Sequence, residues 1–158
     1  MVMKNRKKIL IISLTLLASF TSAAETVTKG MKKVIDDALD FSVKQSMSMF
    51  YEMKDQKGIL PRTAENGKMI TCESAWWTSG FYPGTLWYCY EYSNDPQIRA
   101  AAEEMTSRVE KQKYTTSNHD VGFIINCSFG NGYRLTHNET YRKVIETAAK
   151  SLSTRFHP

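Results

Sequence analysis

The sequence has few cysteines, and none of them has a spacing typical of metal or redox sites. Cys72, Cys89 and Cys127 form an odd set without a C-x-x-C motif, so neither a disulfide framework nor a zinc site is indicated. One pair could still form a bridge in an oxidising compartment. The simpler interpretation is that all three are small apolar residues of the core.

The sequence also lacks an apolar run long enough to span a membrane. The stretch from Ile9 to Phe20 is shorter than the roughly 20 residues that a transmembrane helix needs. Four basic residues precede it, and the small residues of "TSAAE" follow it. This order is typical of a secretory signal peptide cleaved after Ala23 or Ala24. We therefore predict a signal peptide over residues 1–24 and an exported, periplasmic chain over residues 25–158, without membrane association after cleavage.

A surplus of positive charge is missing once that segment is set aside. The segment holds four of the 21 basic residues and none of the 16 acidic residues, so the remainder is close to neutral. A nucleic-acid-binding domain needs a concentration of cations on one face, and nucleic acid is therefore not expected as a partner.

Apolar residues recur at helical spacing in three stretches. The first stretch predicts a helix from Met31 to about Met53. The three stripes are Met31, Val34, Ile35, Ala38 and Leu39; Ile98, Ala101, Ala102, Met105 and Val109; and Tyr141, Val144, Ile145, Ala148, Ala149 and Leu152. Two almost wholly apolar segments, "GFYPGTLWYCYEY" and "VGFIINCSFGNGY", suit buried helices. Residues 57–76 read as a long polar loop.

The second half of the chain contains an internal repeat. Residues 77–105 align with residues 120–148 at an offset of 43, which pairs Asp95 with Asn138 as helix N-caps. Each unit holds one all-apolar helix and one amphipathic helix. Such hairpins stack as an open solenoid or close into a ring. The fold class predicted from the residues is therefore all-α.

The same offset places Trp77 on Asp120, at the start of the apolar helix in each unit. In a closed ring these starts gather at one end, where an aromatic platform and a carboxylate would share one mouth. An aspartate at a helix start is most often only a cap. Capping and catalysis are both open for Asp120 on the residues alone, and the two roles can coexist.

Three motifs in order, "WWTSGFYPGTLWYCYEY", "SNHDVGF" and "CSFGNGYRLT", resemble the N-terminal part of glycoside hydrolase family 88, the unsaturated glucuronyl hydrolases. The resemblance covers residues 31–158. It implies an (α/α)6 barrel, a toroid of six inner and six outer helices, of which this chain would hold about the first five.

The family resemblance also implies a reaction. These enzymes remove the unsaturated uronic acid that polysaccharide lyases leave at the end of an oligosaccharide, by protonation of C4, addition of water at C5 and opening of the hemiketal. The resemblance makes Asp120 a catalytic acid, and Trp77 and His119 substrate-binding residues. It implies no metal and no organic cofactor. Trp76 and Trp87 are expected in the core, and Arg134 is expected to pair with Glu91 or another acid.

The chain departs from the family in length. The second active-site acid and the residues that hold the uronate carboxylate are expected beyond Pro158, so we expect a truncated barrel. Two alternatives follow: a non-catalytic fragment that binds carbohydrate or is a gene remnant, and a neighbouring enzyme on the same barrel, an unsaturated rhamnogalacturonyl hydrolase.

Overall fold

The computed structural model describes residues 28–156, so the predicted signal peptide lies outside the described residues. The helices and strands follow in chain order: α1 (Lys29–Met53), β1 (Ile59–Glu65), β2 (Lys68–Glu73), α2 (Phe81–Ser93), α3 (Pro96–Ser107), a 3-10 segment (Glu110–Tyr114), α4 (Val121–Ile125), a π-helical turn (Asn126–Gly130), α5 (Asn131–Thr136) and α6 (Glu139–Ser153). The all-α prediction is confirmed for the bulk of this part of the chain.

The described residues fall into two parts, residues 28–36 and residues 37–156. The first part is the beginning of α1. There the Thr28 hydroxyl accepts a hydrogen bond from the Met31 amide at 3.2 Å, and Lys32 pairs with Asp36 one turn later at 2.6 Å. Both contacts are local, as expected at the start of a helix.

The prediction of a polar loop over residues 57–76 is wrong, because most of this segment forms a β-hairpin. β1 and β2 pair antiparallel, with Leu60 opposite Cys72 and Glu65 opposite Lys68. The turn between them is Asn66–Gly67, and both residues have positive φ, 50° and 74°. Asn-Gly is the residue pair that a tight two-residue hairpin turn favours. The sequence therefore contains a hairpin signal at this turn.

The repeat at an offset of 43 is confirmed in the hydrogen bonds at the helix ends. α2 ends at Asn94, whose amide donates to the Tyr90 carbonyl at 2.7 Å, and α5 ends in the same way at His137. Both residues are left-handed, with φ of 54° and 53°. The next residue in each unit is the predicted cap: Asp95 accepts from the Gln97 amide at 2.7 Å, and Asn138 accepts from the Thr140 amide at 2.9 Å.

The core confirms the amphipathic stripe of α3, whose predicted residues are all buried, together with Val109 after it. Ala101, Ala102 and Met105 of this stripe pack in one cluster with Trp87 of α2, which is fully buried. The Trp87 indole donates to the Thr106 hydroxyl at 2.9 Å. Tyr141 of α6 touches the two clusters of buried side chains that make up this core. Trp87 is thus a core residue, as predicted.

The apolar helices of the two repeat units, residues 77–105 and 120–148, approach each other with their backbones in contact. A Cβ atom on Gly80 would lie 2.2 Å from the Ile124 carbonyl oxygen, and one on Gly84 would lie 2.7 Å from that of Cys127. Only glycine permits such an approach. The sequence predicts one apolar helix in the second repeat unit, but a π-helical turn divides it into α4 and α5. Within this segment, the Ser128 hydroxyl donates to the Ile124 carbonyl at 2.6 Å.

Arg108 ties the end of α1 to the beginning of the hairpin. Its guanidinium donates to the carbonyls of Lys54, Gln56 and Ile59 at 2.9 to 3.1 Å and pairs with Glu104 at 2.7 Å. The carbonyls of Lys54 and Gln56 lie in the turn after α1, and that of Ile59 lies at the start of β1. The contact fixes the hairpin against α1.

Candidate active site

Trp77 lies in the turn between β2 and α2, and its side chain is 44% exposed. The ring packs edge-to-face against Phe81, with centroids 5.6 Å apart, and against Phe123, at 6.5 Å. Phe81 and Phe123 complete the triangle at 6.3 Å. We call these three partly exposed rings the aromatic corner. It joins the first repeat unit to the second, because Phe123 belongs to α4.

Asp120 immediately precedes α4 but does not cap it. Its side chain accepts no hydrogen bond from the helix amides, in contrast to Asp95 and Asn138 at the starts of α3 and α6. The Asp120 amide is itself held, donating to the Asn118 side-chain oxygen at 2.9 Å. The capping interpretation is therefore wrong for this residue. Its carboxylate, with 21% of the side chain exposed, is left free of the helix end.

His119 is the one polar side chain recorded against the Asp120 carboxylate among the described residues. The His119 Nε2 atom lies 3.3 Å from Asp120 Oδ1, and the imidazole is 76% exposed. A protonated imidazole would form an ion pair with the carboxylate. The structure thus brings together two of the three predicted site residues in direct contact.

Trp77 reaches the same end of the fold through Phe123. The Trp77 ring touches Phe123, which lies three residues after Asp120 along α4 and therefore about one turn away on the same side of the helix. Trp77 thus contacts the helix that Asp120 precedes, and a shared opening for the ring and the carboxylate stays a prediction. Phe81 and Phe123 were missed from the sequence, although each follows a predicted site residue at helical spacing.

A buried hydrogen-bond network holds the loop that carries Trp77. Within that loop, the Ser79 hydroxyl donates to the Ser74 carbonyl at 2.7 Å. The Gln112 amide donates to the Ser74 hydroxyl at 2.8 Å and accepts from the Thr115 hydroxyl at 2.9 Å. Ser74 and Ser79 are fully buried, and Gln112 is 6% exposed. The network links the Trp77 loop to the segment that leads into Asp120.

Trp76 is not a core residue, and that prediction is wrong. Its side chain is 38% exposed, and the Arg62 guanidinium stacks on it at 4.1 Å from the ring centroid. The two adjacent tryptophan side chains point in different directions. The hairpin places Arg62 over Trp76, while the turn after the hairpin directs Trp77 toward Phe81. Sequence position alone does not separate adjacent tryptophans in a turn.

Beside the aromatic corner lies an open cleft of about 940 Å³. We call it the hairpin cleft, because α1, the hairpin and the start of α2 form its walls. Arg62 and Lys68 line it on the hairpin side, and Phe81 lines it on the side of the corner. Phe81 is therefore common to both features.

The predicted ion pair of Arg134 with Glu91 is confirmed, with guanidinium nitrogens 2.7 and 2.6 Å from the carboxylate oxygens. This bidentate contact lowers the pKa of Glu91 through the hydrogen bonds from Arg134. It occupies Arg134 away from the aromatic corner, so Arg134 is a structural residue.

Residues 28–156 contain no group of three or more His, Cys, Asp and Glu side chains arranged to hold a metal ion. Cys72, Cys89 and Cys127 are unbridged. Burial raises the pKa of Cys72 and of Cys127, which disfavours the reactive thiolate. Cys89 is buried, as expected of a small apolar residue, while the other two are partly exposed. No helix in this described range is long and apolar enough to cross a bilayer.

No protein-family model matches the chain, but individual proteins do. It is 43% identical over 81 residues to an unsaturated glucuronyl hydrolase of Formosa agariphila, covering 51% of this chain and 20% of that protein. It is 32% identical over 127 residues to an unsaturated chondroitin disaccharide hydrolase of Streptococcus pyogenes, covering 77% of this chain and 31% of that protein.

Solved structures agree with these sequence matches. An unsaturated glucuronyl hydrolase specific for heparin superposes with a TM-score of 0.66 at 36% identity, over 77% of this chain and 33% of that one. The predicted toroid of helical hairpins is confirmed for the part of the fold that is present. The chain spans between a fifth and a third of the length of these relatives. Over that span, the chain is similar to the unsaturated glucuronyl hydrolases of glycoside hydrolase family 88.

Proposed function

We propose that this chain forms part of the active site of a glycoside hydrolase that releases an unsaturated uronic acid from oligosaccharides produced by polysaccharide lyases. The reaction is the hydration of the C4–C5 vinyl ether. We also propose that it acts after export to the periplasm, where the predicted signal peptide would direct it.

The observation that carries the proposal is the environment of Asp120. The carboxylate accepts no hydrogen bond from the α4 amides, remains partly exposed and lies on the side of the helix that leads to the aromatic corner. A partly exposed carboxylate that caps no helix, on a helix whose Phe123 contacts an exposed tryptophan, is suited to a sugar: the acid binds hydroxyl groups, and the ring contacts the apolar face.

Asp120 would act on the charge that develops during the reaction. Protonation of C4 leaves positive charge shared between C5 and the ring oxygen, and water then adds at C5. A fixed carboxylate near these atoms stabilises that charge more than it stabilises the neutral substrate. The proton donor itself is expected from a second acid outside the span of this chain, as the family resemblance implies.

His119 and Trp77 would position the reacting group. The His119 imidazole, 3.3 Å from Asp120, can restrict the rotation of the carboxylate and bind a sugar hydroxyl. Trp77 presents a ring that Phe81 and Phe123 support from the side, so its orientation is set before substrate arrives. A pre-set platform reduces the entropy that binding costs.

A second candidate function is carbohydrate binding without turnover. The chain spans at most about a third of its relatives, and the aromatic corner and Asp120 both lie within that span. Binding alone needs no second acid. An unsaturated rhamnogalacturonyl hydrolase on the same barrel differs only in substrate and is tested by the choice of oligosaccharide.

The test combines turnover with binding. Turnover is the loss of ultraviolet absorbance of the conjugated uronate when the chain is mixed with unsaturated chondroitin, hyaluronan or rhamnogalacturonan disaccharide. Binding is measured by calorimetry with the same ligands. The variants are Asp120→Asn and Trp77→Ala, with Asp95→Asn as the matched control, since asparagine also caps a helix.

Turnover that falls at least about 100-fold in Asp120→Asn but not in Asp95→Asn supports the hydrolase. Saturable binding without turnover, weakened by Trp77→Ala, supports the second candidate. Equal turnover in wild type and Asp120→Asn excludes a catalytic role for Asp120. Neither turnover nor binding with any of the three disaccharides overturns both proposals.

A further inference from the structure

The hairpin cleft and the aromatic corner have one residue, Phe81, in common. Phe81 lines the cleft, and the same ring packs against Trp77 with centroids 5.6 Å apart. A sugar ring seated on Trp77 would therefore have its neighbour in the oligosaccharide beside Phe81, at the entrance of the cleft. The volume of about 940 Å³ is within the range of ligand-binding clefts.

The walls of the cleft carry groups that suit a sugar. Gln45 and Ser48 of α1 and Thr85 of α2 line it, and all three residues are exposed. Amide and hydroxyl side chains bind sugar hydroxyls by donating and accepting hydrogen bonds. Phe81 and Tyr82 supply apolar surface in the same cleft. This mixture of aromatic and small polar groups is typical of a ligand site.

The hairpin wall adds two cations, Arg62 and Lys68. Neither forms an ion pair with any carboxylate of residues 28–156. Arg62 stacks on the Trp76 ring at 4.1 Å, which restrains the guanidinium while leaving its in-plane N–H groups free to donate. The one acidic residue lining the cleft is Glu52, on α1. Glu65 lies opposite Lys68 in the hairpin but does not line the cleft, so the hairpin side of the lining is cationic.

We propose that the hairpin cleft binds the part of the oligosaccharide that follows the unsaturated uronate, and that Arg62 and Lys68 bind a carboxylate or sulfate on it. The inference rests on the proposed function, since it assumes a sugar on Trp77. Exposed charged contacts are screened by salt, so binding of the anionic ligand weakens as the ionic strength rises.

Calorimetry of the 158-residue chain with three ligands tests the inference: an unsaturated disaccharide with a 6-sulfated N-acetylgalactosamine, its unsulfated counterpart, and an unsulfated unsaturated tetrasaccharide. The test variant is the double substitution Arg62→Gln and Lys68→Gln. The matched control, Lys143→Gln and Lys150→Gln, removes the same charge from α6 outside the cleft. Arg62→Lys retains the charge but loses the planar stack. Circular dichroism verifies the fold of each variant.

We expect the test variant to weaken binding of the sulfated disaccharide, of the tetrasaccharide or of both by about tenfold. Binding of the unsulfated disaccharide should not change, and the control variant should bind all three ligands as wild type does. An effect on the sulfated disaccharide identifies sulfate, and an effect on the tetrasaccharide identifies the second uronate carboxylate. If the test variant binds all three ligands as tightly as wild type does, the proposal for the hairpin cleft is overturned, but the proposed function is not. Absence of binding by any ligand to the wild-type chain overturns the proposed function and the cleft together.

Discussion

Glu91 and Arg134 lie 43 residues apart, occupy equivalent positions in the two repeat units and form a bidentate ion pair across them. The same position of the repeat therefore contributes an acidic residue from the first repeat unit and a basic residue from the second to the contact between them. Such a contact sets the register of the two helices along their length, because a shift of one turn would separate the charges by about 5.4 Å.

The ion pair should make stability depend on pH. Its hydrogen bonds lower the pKa of Glu91 in the folded chain below the usual 4.5, so its contribution is present above that value and is lost as the pH falls through the lowered pKa. Glu91→Gln should therefore have a lower Tm than wild type at neutral pH, and the difference in Tm should shrink as the pH falls through the lowered pKa of Glu91. A difference in Tm that persists unchanged at low pH would show that the effect does not come from this carboxylate.

The three polar residues at helix starts should differ in what they contribute to stability. Asp95→Ala and Asn138→Ala each remove an observed cap, and each should lower the free energy of unfolding by about 1 kcal/mol. Asp120→Ala removes no cap and should cost less than half as much. Urea denaturation of the three variants gives the comparison. Equal losses would mean that Asp120 caps α4 in solution.

Gln112 should control the order of the Trp77 loop. Gln112→Met retains the volume but leaves the Ser74 and Thr115 hydroxyls without their buried partner, at a cost of about 1–3 kcal/mol. Faster hydrogen exchange at the Ser79 amide should accompany the loss. Gln97→Met, at an exposed position, is the control and should change neither quantity. Unchanged exchange at Ser79 would show that the loop is held by other contacts.

The backbone contact between the units should tolerate no added methyl group. A Cβ atom at Gly84 would lie 2.7 Å from the Cys127 carbonyl oxygen, so Gly84→Ala must push α2 away from the π-helical turn. We expect a loss of more than about 2 kcal/mol, as for overpacked cores. Gly122→Ala is the control, because its Cβ would meet only Leu152 at 3.9 Å. Comparable thermal unfolding of both variants would contradict the contact.

Much of the fold can be predicted from local sequence signals. The caps at Asp95 and Asn138 and the stripe on α3 depend on residues within a few positions of one another, so their pattern survives in a single sequence. The Asn66–Gly67 turn is of the same kind, and the hairpin was missed only because the surrounding residues are polar. The two repeat units can be predicted because similar local signals recur 43 residues apart.

The sequence by itself thus determined the helical class, the repeat, the caps and the position of Trp77 and Asp120 at equivalent helix starts. Only the tertiary structure decided that Asp120 is free of its helix end, that Trp76 faces Arg62, and that Phe81 and Phe123 support Trp77. These relationships depend on how closely two helices approach and how a turn directs its side chains. The contacts of Trp77 with Phe123 and of Trp76 with Arg62 join separate elements, and packing sets such distances, which no local pattern encodes.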